Sequence, residues 1–235
     1  MPNTNIPIFL TRNTRAKRIT LRVHSAHRKV LLTLPKTTSI KQAQRFAERH
    51  TTWIIEKFEK LPPFVPFEHN AIIPFHGILH KIVFCNHKIR HQQIVTIYKN
   101  QNLPGEHYPI LKVHGPYEHA PRRLLDWLKK QARTELQERV TYHACNLNLH
   151  PKRVAIRDQK SRWGSCSSTG ALSFSWRLIL APYFVLDYVA AHEVAHLAEM
   201  NHGKRFWQLV RQTMPDMDKA EEWLKENGTS LHGYG

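Results

Sequence analysis

Residues 191–207 read AHEVAHLAEMNHGKRFW, and the spacing of their histidines decides how the rest of the chain is read. His192 and His196 are four apart in an apolar, helix-prone stretch, so their rings lie one above the other on one helix face. Two imidazoles placed that way can reach one ion at about 2.0–2.1 Å. Val185 and Val189 continue the same stripe, which turns the ligand face inward. Glu193 projects from the adjacent face, within reach of a water on the metal and outside the coordination set. This is the physical content of HExxH, two neutral nitrogen ligands beside a base. A zinc-bound water activated by an exposed Glu193 is the chemistry the pattern implies.

A third protein ligand is needed, with the fourth position left to water. His202 follows His196 by six residues, too far for the same face of a straight helix. Asn201 and Gly203 flank it, and both accept the left-handed conformation that ends a helix and reverses the chain. The spacing matches that of HExxHxxGxxH metalloproteases, although Glu199 stands where they carry Gly. Glu199, Glu221 and Glu222 are the rival third ligands. With 17 His and 13 Glu in 235 residues, a chance HExxH arises in about 7% of such chains. Requiring His202 as well lowers this to about half a percent, which favours the metal reading. Ala190, Ala191, Val194, Ala195 and Ala198 would otherwise leave the imidazoles buried without partners.

Outward from this segment, Asp187 to Met200 reads as a helix, followed by helices over Gly203–Met214 and Lys219–Asn227, the last ended by Gly228. Tyr117 to about His143 is a long helix with a buried stripe of Leu124, Leu125, Leu128, Ala132, Leu136 and Val140. Val154–Arg157 and Leu172–Trp176 read as strands on either side of SRWGSCSSTG. The first half is richer in strands. Ile19–Val23 and Val30–Leu34 form an antiparallel pair joined at Ser25–Arg28. A helix capped by Thr38 or Ser39 runs to Lys60 and stops at Pro62, Pro63 and Pro66. Ile72–Phe75, Leu79–Phe84 and Ile94–Tyr98 are further strands with a turn at Gly77, and Asn100–Tyr108 is a loop. The pattern is α+β, with a β-rich region over 1–115 and a helical region over 116–235 carrying HExxH.

The chain is 41% hydrophobic and 23% charged, ordinary values for a globular protein with a real core. Its longest apolar stretch, Leu178 to Leu186, is interrupted by Pro182 and falls short of the roughly 20 residues a membrane helix needs. The N-terminus is polar where a signal peptide needs its apolar region. Cys85, Cys145 and Cys166 form no disulfide framework, so a reduced, cytoplasmic setting is expected. The net charge of +17 points to an anionic partner, either nucleic acid or a nucleotide. Arg12, Arg15, Lys17, Arg18 and Arg22 come early; Arg122, Arg123, Lys129 and Lys130 follow.

Several segments resemble the YgjP-like metallopeptidase family, a relative of the SprT-like and WLM zinc peptidases of the zincin class. They are WGSC at 163–166, WRLILAP at 176–182, DYVAAHEVAHL at 187–197 and NHGKRFW at 201–207. RAKRITLRV at 15–23, LLTLP at 31–35 and TTWIIEK at 51–57 extend the likeness over nearly the whole chain. One departure is Ser175, where the family pattern has Asn. The resemblance implies a zincin-like fold, zinc held by His192, His196 and His202, Glu193 as the catalytic base, and a protein or peptide substrate. Trp163 and Phe174 are candidate substrate contacts, Leu172–Trp176 a candidate edge strand for an extended substrate. Tyr188, Arg162 and Tyr234 are candidate oxyanion partners, and Asp187 or Glu199 candidate orienters of a ligand imidazole. Two other readings use the same centre: a metal-dependent phosphoanhydride (nucleotide) hydrolase, and a nucleic-acid-binding protein with a structural zinc. The third ligand count argues against the last, since structural sites are usually closed by four protein ligands.

Overall fold

The computed structural model describes residues 6–24, 29–86, 94–98, 108–159 and 161–235. The expected turn at Ser25–Arg28 and nearly all of the loop at Asn100–Tyr108 lie outside them. The chain forms two compact units, residues 1–64 with 232–235, and residues 65–231.

In the first unit, strands β1 (Ile8–Arg12), β2 (Thr20–His24) and β3 (Lys29–Leu34) form a sheet in the order β1-β3-β2. β2 runs antiparallel to β3 as its alternation predicts, and β1 runs parallel to it. β3 alternates half-buried and buried, which sends Leu32 and Leu34 onto Ala43 and Ala47 of helix α1 (Ile40–Arg49). Ser39 caps α1: its hydroxyl accepts from the Gln42 amide at 3.2 Å, and its own amide donates to Gln42 Oε1 at 2.9 Å. The single helix expected to Lys60 is broken, and α2 (Thr51–Glu59) starts after His50. His50 Nδ1 bonds the Phe46 carbonyl at 2.8 Å, and Thr51 Oγ1 donates to the Glu48 carbonyl at 2.8 Å. These side chains take carbonyls that a continuous helix needs for its own amides.

In the second unit, β4 (Ile72–Phe75), β5 (Ile78–Cys85), β6 (Val95–Tyr98) and β7 (Ile110–His114) make a sheet in the order β4-β5-β7-β6. The β4–β5 turn places His76 at φ 51° and Gly77 at φ 74°, the two positive angles of a tight hairpin. Its amides donate to Ile179 and Leu180 carbonyls at 2.9 and 3.0 Å. A Cβ on Gly77 would sit 2.7 Å from Pro182 Cγ. Composition changes near residue 115, yet this hairpin packs with the helical half, so the boundary between compact units falls after Phe64.

Helix α3 (Ala120–Leu147) buries Leu124, Leu128, Ala132, Leu136, Val140 and His143, and ends at left-handed Asn148. A second sheet joins β8 (Arg153–Arg157), β9 (Gly164–Cys166) and β10 (Ala171–Ser175) in the order β8-β10-β9. A 3-10 turn, Trp176–Leu180, leads through Pro182 into α4 (Tyr183–Ala195). Helices α5 (Lys204–Thr213) and α6 (Met217–Asn227) follow. The architecture is mixed α and β, as the sequence predicts. No helix among the described residues is long and apolar enough to cross a membrane.

A polar cluster ties three of these helices together. His143 of α3 is fully buried and bonds Asp187 of α4 through Nε2 at 2.6 Å and Thr213 of α5 through Nδ1 at 2.7 Å. Arg139 meets the same carboxylate through Nε and Nη2. Burial alone would raise the Asp187 pKa, but the His143 and Arg139 hydrogen bonds outweigh it and hold the carboxyl below its usual range. A depressed carboxyl contributes stability that is present above its unfolded pKa of about 3.9 and is lost as pH falls through the folded value. Asp187→Asn is therefore expected to unfold at lower temperature than the parent at pH 7 and to show a flatter loss of Tm below about pH 4. Asp187→Ala should cost about 3 kcal/mol, since it takes the Nε2 partner from buried His143 and the carboxylate from half-buried Arg139. Thermal melts across pH measure both.

Candidate metal centre

Helix α4 buries Val185, Leu186, Tyr188, Val189, Ala190, Ala191, Val194 and Ala195. A helix apolar nearly all round is stable only inside the protein; apart from Asp187 on the face toward α3, its charged and ligating side chains, His192 and Glu193, lie in its last turn. The helix starts four residues earlier than its sequence pattern predicts, directly after Pro182, and its last turn closes at His196. Tighter bonds from Leu197 to Val194 and from Ala198 to Ala195 then bend the chain outward.

His202 is brought back by this bend. Neither Asn201 nor Gly203 takes the left-handed conformation expected of them. Gly203 has φ −81°, and its amide reaches the Asn201 carbonyl at 2.8 Å in a three-residue turn. His192, His196 and His202 each offer one nitrogen, and these nitrogens lie within 4.8 Å of one another. No other group of three His, Cys, Asp or Glu among the described residues does this, so Glu199, Glu221 and Glu222 stand outside the cluster.

Three observations test whether these residues fit a metal. His196 Nδ1 bonds the Glu199 carbonyl at 3.0 Å, which puts its proton on Nδ1 and leaves Nε2 as a lone pair. His192 Nε2 and His202 Nε2 face each other at 3.1 Å. Two ligands of one tetrahedral zinc lie about 3.4 Å apart by the usual bond lengths. Burial, followed by the neighbouring His196 and His202, holds the His192 pKa down to about 3, so its ring is the neutral species a metal needs. The donor set fits zinc.

Phe206 is completely buried, with its ring centroid 4.8, 4.5 and 4.7 Å from those of His192, His196 and His202. It is a floor on which all three imidazoles rest. Residue spacing carries no sign of a partner shared by three histidines, so this role of Phe206 is not legible in the sequence.

Glu193 is buried rather than exposed, at 5%. Its carboxyl pKa is pushed up to about 7 by burial, against a smaller pull from Arg162. Its Oε2 has no hydrogen-bond partner among the described residues, an unusual state for a buried carboxyl oxygen. Backbone of β9 lies against it: a Cβ on Gly164 would come within 2.4 Å of Glu193 Oε1 and 2.6 Å of Cδ. The signal for this approach was a glycine inside a short strand, which often marks close backbone packing.

His192 and Glu193 open onto a pocket of about 380 Å³ shared with Arg162, Trp163, Gly164, Tyr188, Val189, Glu221, Leu224 and Lys225. Two of the three expected oxyanion partners, Arg162 and Tyr188, line it; Tyr234 belongs to the other compact unit. Tyr188 is kept protonated by burial and by nearby Glu221, Asp218 and Glu193, so it offers a hydroxyl donor. Trp163 lines the pocket, whereas Phe174 does not: its ring is fully buried on β10. β10 is also the central strand of its sheet, and the edge strand beside Glu193 is β9. Asp187 orients His143 rather than a ligand imidazole, and Glu199 serves His196 through its backbone carbonyl. Cys166 is raised by burial first and Glu193 second, which makes it a poor nucleophile.

A family model for the YgjP-like metallopeptidase domain matches residues 17–227. The chain belongs to the YgjP-like metallopeptidase family. No curated protein matches it. Among solved structures, the metallopeptidase zymogen abylysin of Pyrococcus abyssi is similar at 22% identity and a TM-score of 0.36, over 41% of this chain and 94% of that one.

Gly164→Ala places a methyl group where the Glu193 carboxylate now sits. The expected outcome is a folded protein with the metal stoichiometry of the parent and hydrolytic turnover reduced about 100-fold by a carboxyl displaced about 1 Å. Metal stoichiometry and turnover, measured on one preparation, test it.

Proposed function

We propose that this chain is a zinc-dependent peptidase in which His192, His196 and His202 hold the metal and Glu193 is the general base. The observation that carries this reading is the buried, unpartnered Glu193 Oε2 in the pocket that His192 also lines. A lone carboxyl oxygen of that kind suits a water positioned for attack.

A divalent metal supplies Lewis acidity here when bound. Glu193, on the pocket that His192 also lines, would take a proton from the attacking water and give it to the leaving amine. Tyr188 and Arg162 are the donors available for the oxyanion. β9, the edge strand next to Glu193, is suited to pair with an extended substrate backbone. Trp163, Val189 and Leu224 give the pocket an apolar wall for a substrate side chain. His196 is held in its ligating tautomer by the Glu199 carbonyl.

Glu193→Gln should keep full zinc content and lose peptide hydrolysis by at least about 100-fold. Unchanged turnover would exclude Glu193 as the base. The assay uses casein and nucleoside triphosphates side by side. Triphosphate cleavage that depends on Glu193, with casein untouched, would replace the peptidase reading with phosphoanhydride hydrolysis. His202→Ala should weaken zinc binding about 10- to 100-fold or more, read by chelator competition.

A further inference from the structure

The positive charge is not spread evenly. Residues 1–64 hold 13 of the 35 Lys and Arg but three of the 18 acids, Glu48, Glu56 and Glu59. Pairing differs in the same way. Arg139, Arg177, Arg205, Arg211 and Lys225 each meet a carboxylate, and all lie in the second unit. None of the described Lys or Arg side chains of residues 1–64 forms an ion pair. Uncompensated like charges repel one another and destabilise a compact unit, so they call for a partner.

These charges line a shaped surface. Ile19, Thr38, Gln42, Arg45, Glu48 and Arg49 enclose a groove of about 810 Å³ within the first unit. Arg45 and Arg49 stand one turn apart on the exposed face of α1, with Gln42 a turn before them. The stretch leading into Ile19 exposes Arg15, Lys17 and Arg18. The loop between β3 and α1 is held rigid by Arg12, whose Nη1 donates to the Lys36 and Thr38 carbonyls at 2.9 and 2.8 Å. Thr38 is therefore presented on a fixed backbone.

From this we infer that the groove of the first unit binds the sugar-phosphate backbone of a nucleic acid without sequence preference. Guanidinium groups suit phosphate bidentately, and hydroxyl and amide side chains add phosphate and sugar contacts. A membrane surface suits the unit less well. A helix lying on lipid turns its apolar face outward, while α1 buries Ala43 and Ala47 against Leu32 and Leu34. The inference concerns a different unit from the metal centre and holds whether or not that centre cleaves peptides.

The experiment titrates the full-length protein against fluorescein-labelled 20-mer DNA, single-stranded and duplex, at several salt concentrations. Arg45→Ala/Arg49→Ala is expected to weaken binding at least tenfold at about 100 mM salt and to reduce the salt slope by about 2. Arg15→Ala/Arg18→Ala should act in the same direction. Arg122→Ala/Lys130→Ala, a matched loss of charge from exposed positions of the second unit, should change affinity less than twofold. Zinc removal should leave binding intact, and all three variants should melt like the parent. Three outcomes overturn the inference: no DNA binding at low salt, an equal loss in the Arg122/Lys130 variant, or Arg45/Arg49-dependent binding to phosphatidylserine vesicles with none to DNA.

Discussion

A carboxylic acid buried without a full set of partners is the constraint on which this structure turns. Glu193 sits on a helix that is otherwise apolar, and transfer of a charged carboxylate into such surroundings costs several kcal/mol. The fold answers by raising its pKa and by leaving one side open. Gly164 lets the β9 backbone lie against the carboxyl, and Glu193 lines the pocket that His192 also lines. A larger residue at 164 would push the carboxyl from its place, and a polar partner for Oε2 would relieve the cost of its burial.

Helix α4 divides its duties around its circumference. Asp187 lies five residues before His192, about 140° away around the axis at 100° per residue. On that face it joins α3 and α5 through His143 and Arg139. On the other face the imidazoles meet above Phe206, which is itself on α5. α5 is thus tied to α4 directly by Phe206 near its beginning, and indirectly by Thr213 near its end, which bonds His143 of α3 and through it Asp187. The relation of His202 to His192 depends on that double attachment, since His202 stands on the turn just before α5.

Periodicity made much of this legible. The buried stripe of α3, the inward face of β3 and the one-turn pairing of His192 with His196 each follow from side-chain repeats that residue spacing reports directly. What escaped reading depends on contacts distant in sequence. The break at His50 comes from side chains competing for carbonyls, and the parallel pairing of β1 with β3 needs a crossover that local pattern does not encode. β10 reads as an edge strand until the three-residue β9 is seen pairing with it, because so short a strand shows no alternation. Phe174 belongs to the core for the same reason. A left-handed Asn201 or Gly203 is the expected means of turning the chain at His202, and the chain uses neither. A γ-turn at Asn201–Gly203 achieves it with ordinary angles.

Net charge shows best how a whole-chain quantity can mislead about a site. A value of +17 suggests a field that draws anionic substrate to the reactive pocket. The pocket itself is nearly balanced: Lys225 is paired with Glu221 at 2.9 Å, leaving Arg162 beside Glu193. An exposed pair of that kind projects little field beyond a Debye length. More than half of the excess lies instead in residues 1–64, where none of the described Lys or Arg forms an ion pair. Steering of an anion to the metal by the chain's overall charge therefore has little support in the pocket's own residues. Apolar contact with Trp163, Val189 and Leu224, together with backbone pairing along β9, is the recognition chemistry this pocket offers, and both suit a polypeptide better than a phosphoanhydride.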